Sequence, residues 1–183
     1  YSVRDGLGQS QVYDIFQDQR GLLWMGTSGG GLSKFNGKKI STIGIEEGLG
    51  DPFVKCIKDL PNGRLFIGGI KGSCKYKGSA FSRIKVLEGK EIEFTVKTDS
   101  CLFISTPTSL FCFRDGDSPK ELLSEINIYG ICASKNADLI LLTDDGIQEL
   151  RGSKLSPLDI PLPCSPALAN SIVQEDDGSI WVS

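Results

Sequence analysis

Five segments of the chain share one template, an apolar residue followed nine positions later by a larger apolar or aromatic one. The pairs are Ile15 and Trp24, Ile57 and Phe66, Phe94 and Phe103, Ile131 and Ile140, and Ile172 and Trp181. The second members stand 42, 37, 37 and 41 residues apart. A period of about 40 residues fits one four-stranded propeller blade, and helical solenoid units have similar lengths. Helical repeats need apolar residues at three- and four-residue spacing, whereas here short β-rich runs are broken by turn residues at nearly every boundary. The 22 glycines and 8 prolines are scattered along the whole length, as many short strands and many turns require. The fold class is therefore all-β, a β-propeller fragment of about four and a half four-stranded blades.

Within each unit the first strand ends in a turn: Asp18-Gln19-Arg20-Gly21, Pro61-Asn62-Gly63, Asp99-Ser100, Asn136-Ala137-Asp138 and Asp176-Asp177-Gly178. Asn, Asp and Gly tolerate the left-handed backbone angles that such turns use. The second strand carries the aromatic or aliphatic anchor. Third strands follow at Leu32 to Phe35, Cys74 to Tyr76, Leu110 to Phe113 and Ile147 to Leu150, with Gly37, Gly78, Gly116 and Gly152 after them. Fourth strands are expected near Ser41 to Ile45 and Phe81 to Val86. Tyr1 to Val3 reads as the fourth strand of a preceding blade, because Gly6-Leu7 after it matches Gly48-Leu49. The blade cores fall at about 7–45, 49–86, 91–122, 128–158 and 169–183, so the whole of 1–183 is a partial propeller, expected to belong to a larger, seven-bladed ring with residues on both sides.

A lone blade cannot cover its own two faces, so neighbouring blades pack on it with the anchors between them. Trp24 and Trp181 are expected to be core on this ground. Burying a large aromatic contributes roughly 1.5–3 kcal/mol.

Charge excludes some partners. Twenty basic and 23 acidic residues are interspersed, a net charge of -3, with no block of one sign to bind nucleic acid or an anionic membrane. Apolar runs such as Leu139 to Leu142 are far too short to cross a bilayer.

No residue set points to a cofactor, a metal or a catalytic centre. The six cysteines at 56, 74, 101, 112, 132 and 164 form no Cys-x-x-Cys pair, and most read as small buried residues filling strand gaps. Cys101 and Cys112 flank a tight turn around Thr106 to Ser109, and a thiol count before and after reduction decides whether they bridge. The Ser28 to Gly31 loop lacks the Lys-Ser/Thr ending of a phosphate cradle and leads into no helix. The carboxylate pairs Glu46-Glu47, Asp144-Asp145 and Asp176-Asp177 lie in loops, with too few oxygen ligands for calcium. Propeller ligands commonly enter where loops between second and third strands meet the connections between blades. The candidate mouth is edged by Asp51, Lys71, Thr108, Asp144 and Asp145, each otherwise a solvated loop residue.

Gly6-Leu7-Gly8-Gln9-Ser10-Gln11-Val12-Tyr13-Asp14-Ile15, continuing to Arg20-Gly21-Leu22-Leu23-Trp24-Met25-Gly26-Thr27-Ser28-Gly29-Gly30-Gly31-Leu32, closely resembles the two-component regulator propeller repeat, and Asp176 to Val182 resembles the same motif. The third and fourth repeats lose the Trp, the Asp-Gly turn and the Gly-Gly-Gly-Leu loop. The resemblance implies the periplasmic sensor region of a bacterial hybrid histidine kinase, binding a small molecule, often a carbohydrate, and relaying a conformational or dimerisation signal. The implied partners are that ligand, the remaining blades and kinase region of the same chain, and a second copy. The alternative is a free-standing periplasmic or secreted propeller acting as a lyase or glycan-binding protein. Related lyases resemble general acid and base catalysts using histidine, and this chain has none. Binding without catalysis is therefore expected of the fragment.

Overall fold

A computed structural model describes residues 1–60, 63–99, 101–114, 118–162, 165–169 and 171–183. The expected turn residues Pro61, Asn62 and Ser100, the glycine Gly116, and Cys164 lie outside the described residues. The chain falls into two compact units, Tyr1–Ile92 and Glu93–Ser183.

Every sheet is an antiparallel meander in chain order. The first unit holds β1 (Val12–Gln17), β2 (Leu23–Thr27), β3 (Leu32–Phe35) and β4 (Ile40–Ile43), then β5 (Val54–Leu60), β6 (Arg64–Gly69), β7 (Ser73–Lys77) and β8 (Ala80–Arg83). The second holds β9 (Thr95–Lys97), β10 (Leu102–Thr106), β11 (Ser109–Phe113) and β12 (Lys120–Ser124), then β13 (Ile128–Ala133), β14 (Leu139–Thr143), β15 (Gly146–Arg151) and β16 (Lys154–Pro157), and finally the pair β17 (Ile172–Gln174) and β18 (Ile180–Val182). These are four complete blades and half of a fifth. No helix among the described residues is long and apolar enough to cross a membrane.

The repeat template is visible in the strand register. Ile15 pairs with Met25, Ile57 with Ile67, Ile131 with Leu141 and Ile172 with Val182, so each first anchor stands opposite the residue that follows the second anchor. The third repeat departs from this: Thr95, not Phe94, pairs with Ile104. Between the paired residues Gln17 and Leu23 the first repeat has five residues, 18–22, whereas between Lys97 and Leu102 the third has four, 98–101. The hairpin is one residue shorter, so a nine-residue count lands one position early. Phe94 still packs against the cluster of Cys101, Phe103 and Ile131.

The hairpin turns of the first and fifth repeats share a hydrogen-bond pattern. Asp18 N–H donates to the Leu22 carbonyl and Gly21 N–H to the Asp18 carbonyl; Glu175 and Ser179, and Gly178 and Glu175, repeat both bonds. Gly21 and Gly178 hold φ of +80° and +92°, a backbone that a side chain would strain. In the first turn the Asp18 carboxylate also accepts the amides of Arg20 and Leu22 and, at 3.1 Å, the indole N–H of Trp24.

Burial acts to raise the Asp18 pKa, but the bonds from Trp24, Arg20 and the two amides outweigh it and hold the carboxyl below its ordinary value. A depressed folded-state pKa gives stability that is present above the unfolded value and lost as pH falls through the folded one. Unfolding midpoints of the first unit are therefore expected to drop below about pH 4. Asp18→Asn should flatten that drop, and an unchanged acid limb in this variant would contradict the assignment.

Blade-to-blade packing follows one rule within each unit. Trp24 and Leu32 of the first blade pack on Ile57, Leu65, Ile67 and Tyr76 of the second. Phe103 and Leu110 pack on Ile131, Leu139 and Leu141, and Ile140 and Leu142 pack on Ile172. The second anchor of one blade thus meets the first anchor of the next. The Trp24 ring lies 5.0 Å from that of Tyr76 and has the Lys34 ammonium 5.7 Å over it. A charged link reinforces the first interface. The Asp14 carboxylate accepts the Ile57 amide at 2.8 Å and the Lys58 ammonium at 3.0 Å. Asp14→Ala leaves that edge amide and cation without their partner, and a loss of about 1–3 kcal/mol is expected in urea unfolding.

Two expectations give way here. Trp181 is 63% exposed where Trp24 is fully buried. Among the described residues the fifth repeat contributes β17 and β18, which pack through Ile172, Ile180 and Val182 on the fourth blade and leave the Trp181 ring on the outer side. Tyr1 to Val3 forms no strand; Val3–Asp5 is a single 3-10 turn, with the Ser2 hydroxyl accepting the Arg4 amide and the Asp5 carboxylate accepting the Ser2 amide. No described third strand stands beside it, so its polar groups are satisfied locally.

The cysteines are placed as small core residues, with one bridge. Cys101 and Cys112 form a disulfide with Cα atoms 6.1 Å apart. Cys56 and Cys74 are buried in the first unit. Burial pushes the Cys74 thiol up to about 11. Native alkylation at pH 8, read by peptide mass spectrometry, should therefore leave Cys74 unmodified until the protein is unfolded.

Candidate ligand site

Each blade has two ends. Hairpin turns between first and second strands and between third and fourth strands form the turn end. Connections from second to third strand and from one blade to the next form the loop end, where a ligand was expected.

A β-bulge recurs at the loop end of the first strand. The register shifts between Val12 and Asp14, between Val54 and Cys56, and between Ile128 and Gly130. The extra residue is Tyr13, Lys55 or Tyr129, always two positions before the first anchor. A bulge re-aims a side chain, and these three are long and polar. The Tyr13 hydroxyl reaches the Ser28 hydroxyl at 3.1 Å, and the Tyr129 hydroxyl donates to Asp144 at 2.7 Å, the equivalent position of the fourth blade. Lys55 pairs with Glu91 at 2.9 Å. The spacing from the first anchor could have marked these residues in the sequence; the bulge that turns them could not.

In the second unit this arrangement opens onto a cleft of about 600 Å³. Its rim carries the carboxylates of Asp144, Asp145 and Asp159, and its wall includes Leu158, Ile160 and Leu162 from the connection after β16. Asp144 and Asp145 sit in a two-residue hairpin, closed by pairing of Thr143 with Gly146. The Asp144 carboxylate accepts the Asn127 side-chain amide at 2.8 Å on one oxygen and Tyr129 on the other. Those bonds, Tyr129 first and Asn127 second, hold the Asp144 carboxyl below its ordinary pKa. The same bond, then burial and the charge of Asp144, raise the Tyr129 phenol. The pair is consequently phenol and carboxylate throughout the physiological range, with Asp144 fixed in direction.

The backbone around Asn127 is also held. The Ile126 amide donates to the Thr108 carbonyl at 3.2 Å, tying the second-to-third strand turn of the third blade to the connection that carries Asn127 and leads into β13 with Tyr129. Glu125 in this connection has φ of +57°, the one non-glycine residue in the left-handed region among the described residues.

The five sequence-derived residues thus separate. Asp144 and Asp145 share the cleft rim, and Thr108 supports the neighbouring connection through its carbonyl. In the first unit Asp51 and Lys71 meet, but through the Lys71 backbone: the Asp51 carboxylate accepts the amides of Lys71 and Phe53. Asp51 is only 5% exposed, so it braces two loops and does not edge an opening. Asn127 and Tyr129 hold Asp144, and Asp159 lines the same cleft; none of the three is among the residues the sequence singles out.

Chemically the cleft offers hydrogen-bond acceptors on one side and an apolar wall on the other, the usual makings of a site for a small polar ligand. Among the described residues no group of three or more His, Cys, Asp or Glu is placed to hold a metal ion.

Residues 6–29 match the family model described as two component regulator propeller. No curated protein matches the chain. Among solved structures, the extracellular domain of BT4673 from B. thetaiotaomicron, described as a one component system, shares 18% identity at a TM-score of 0.74, covering 94% of this chain and 26% of that one. Virginiamycin B lyase from Staphylococcus aureus, crystallised with quinupristin, shares 15% at 0.68 over 94% and 62%. PorZ of Porphyromonas gingivalis, a surface component of the type-IX secretion system, shares 16% at 0.66 over 94% and 31%. This chain spans about a quarter of the BT4673 domain. At these identities the likeness is one of fold. The chain is a run of β-propeller blades, the first of which carries, at residues 6–29, a repeat of the two component regulator propeller family.

Proposed function

We propose that these blades are part of the periplasmic sensor region of a hybrid two-component histidine kinase, and that they bind a small molecule at the loop end of the second unit. The observation that carries the reading is the family repeat at residues 6–29. A fold shared with the BT4673 extracellular domain, and a cleft with a rigidly oriented carboxylate beside an apolar wall, support it. The ligand class that suits this lining best is a neutral carbohydrate, whose hydroxyls donate to carboxylates and whose ring faces pack on aliphatic side chains. Binding would bias the blades toward one arrangement, and the kinase region or a second copy of the chain would read that bias.

A thermal-shift screen with neutral oligosaccharides tests the binding step. A ligand at about 100 times its Kd stabilises by about 2.7 kcal/mol, a rise of several degrees. Asp144→Asn and Tyr129→Phe should each reduce the rise, measured from the variant's own unliganded melting point. A panel without any stabilising member, or a rise unaffected by both substitutions, would contradict the reading. Cleavage products in the same mixtures, seen by mass spectrometry, would favour the lyase alternative instead.

A further inference from the structure

The first unit has a second cleft, of about 590 Å³, at the turn end of its two blades, the end opposite to its loop-end connections. Arg20, Arg64 and Lys77 line it, together with Asp18 and Asp59, over a floor that includes Phe16 and Leu60. Three cations and two acids thus line the cleft. Both oxygens of Asp18 are already occupied, one by the amides of Arg20 and Leu22, the other by the Trp24 indole and the Arg20 guanidinium. Asp18 thereby anchors Arg20 at the rim, where its side chain stays 58% exposed. Lys38 and Lys39 in the adjacent β3–β4 turn are exposed and add two further charges at the same end. In a chain of net charge -3, this end of the first unit is locally positive.

We infer that this turn-end cleft binds a small organic molecule with an oxyanion head, whether carboxylate, sulfate or phosphate monoester, and an apolar body. Guanidinium groups present a fork of donors that matches such heads, and a lysine ammonium adds a point charge. The half-buried Phe16 and buried Leu60 supply the surface on which an apolar body settles. The inference is independent of the loop-end site, which has carboxylates in place of cations and lies in the other unit.

The test is an amide NMR titration of the 183-residue chain at constant ionic strength, with benzenesulfonate, its neutral counterpart benzenesulfonamide, and inorganic sulfate. Benzenesulfonate is expected to saturate in the millimolar range and to shift the amides of Arg20, Gly63 and Gly78. Benzenesulfonamide should not saturate, and sulfate should act at the same amides more weakly. Arg64→Gln and Lys77→Gln should each weaken benzenesulfonate about tenfold, with melting points confirming that both variants fold. Lys77 is exposed at the end of β7, so its substitution leaves the fold intact even if Arg64→Gln does not. Equal binding of the neutral compound, shifts elsewhere in the chain, or undiminished affinity in Lys77→Gln would each overturn the inference.

Discussion

Replacing Trp24 with alanine is expected to cost the first unit about 3–5 kcal/mol, the range for deleting a large buried aromatic. The ring is fully buried, packs on Tyr76 of the next blade, and donates its indole N–H to Asp18, so the substitution both opens a cavity and removes one of the Asp18 donors. Trp181→Ala, at the same place in the fifth repeat, should cost less than about 1 kcal/mol, because an exposed side chain forfeits little. Urea unfolding read by far-UV circular dichroism compares the two. Equal losses would show that the repeat template, and not blade-to-blade burial, sets the contribution of this position.

Removing the Cys101–Cys112 bridge, as the double serine variant, is expected to cost the second unit about 3 kcal/mol through the freedom returned to its unfolded chain. The bond spans 11 residues and joins the start of β10 to β11, and both sulfurs lie inside the cluster around Phe103 and Ile131. Reductant without denaturant should leave it intact, whereas reductant with denaturant should release both thiols, as counted by mass spectrometry. The first unit's unfolding transition should not move in the double variant. A protein with six titratable thiols before reduction would contradict the bridge.

The blade pattern was legible because, within each unit, the first anchors Ile57, Ile131 and Ile172 meet the second anchors Trp24, Phe103 and Ile140 of the blade before, which forces large apolar residues into fixed register. That logic fails where geometry changes without changing composition. A hairpin shortened by one residue moves the third register from Phe94 to Thr95. Trp181 carries the aromatic of a core position and is 63% exposed among the described residues. Asp144 and Asp145 were accessible to sequence reasoning as loop acids at the right end of a blade. Asp51, in the same kind of connection, turns inward to accept two amides, a difference of backbone path that residue type does not record. Tyr129 and Asn127 are not legible in the sequence, because a bulge and a left-handed Glu125, not their spacing alone, bring them to Asp144.

Mapping amide shifts for a stabilising oligosaccharide shows whether the loop-end cleft of the second unit receives the ligand. Saturable shifts are expected at the Asn127 side-chain amide, at the backbone of Asp144 to Gly146 and along Leu158 to Leu162, all weakened in Tyr129→Phe. Saturable shifts confined to other residues, with Tyr129→Phe binding unchanged, would place the ligand elsewhere and contradict the proposed site.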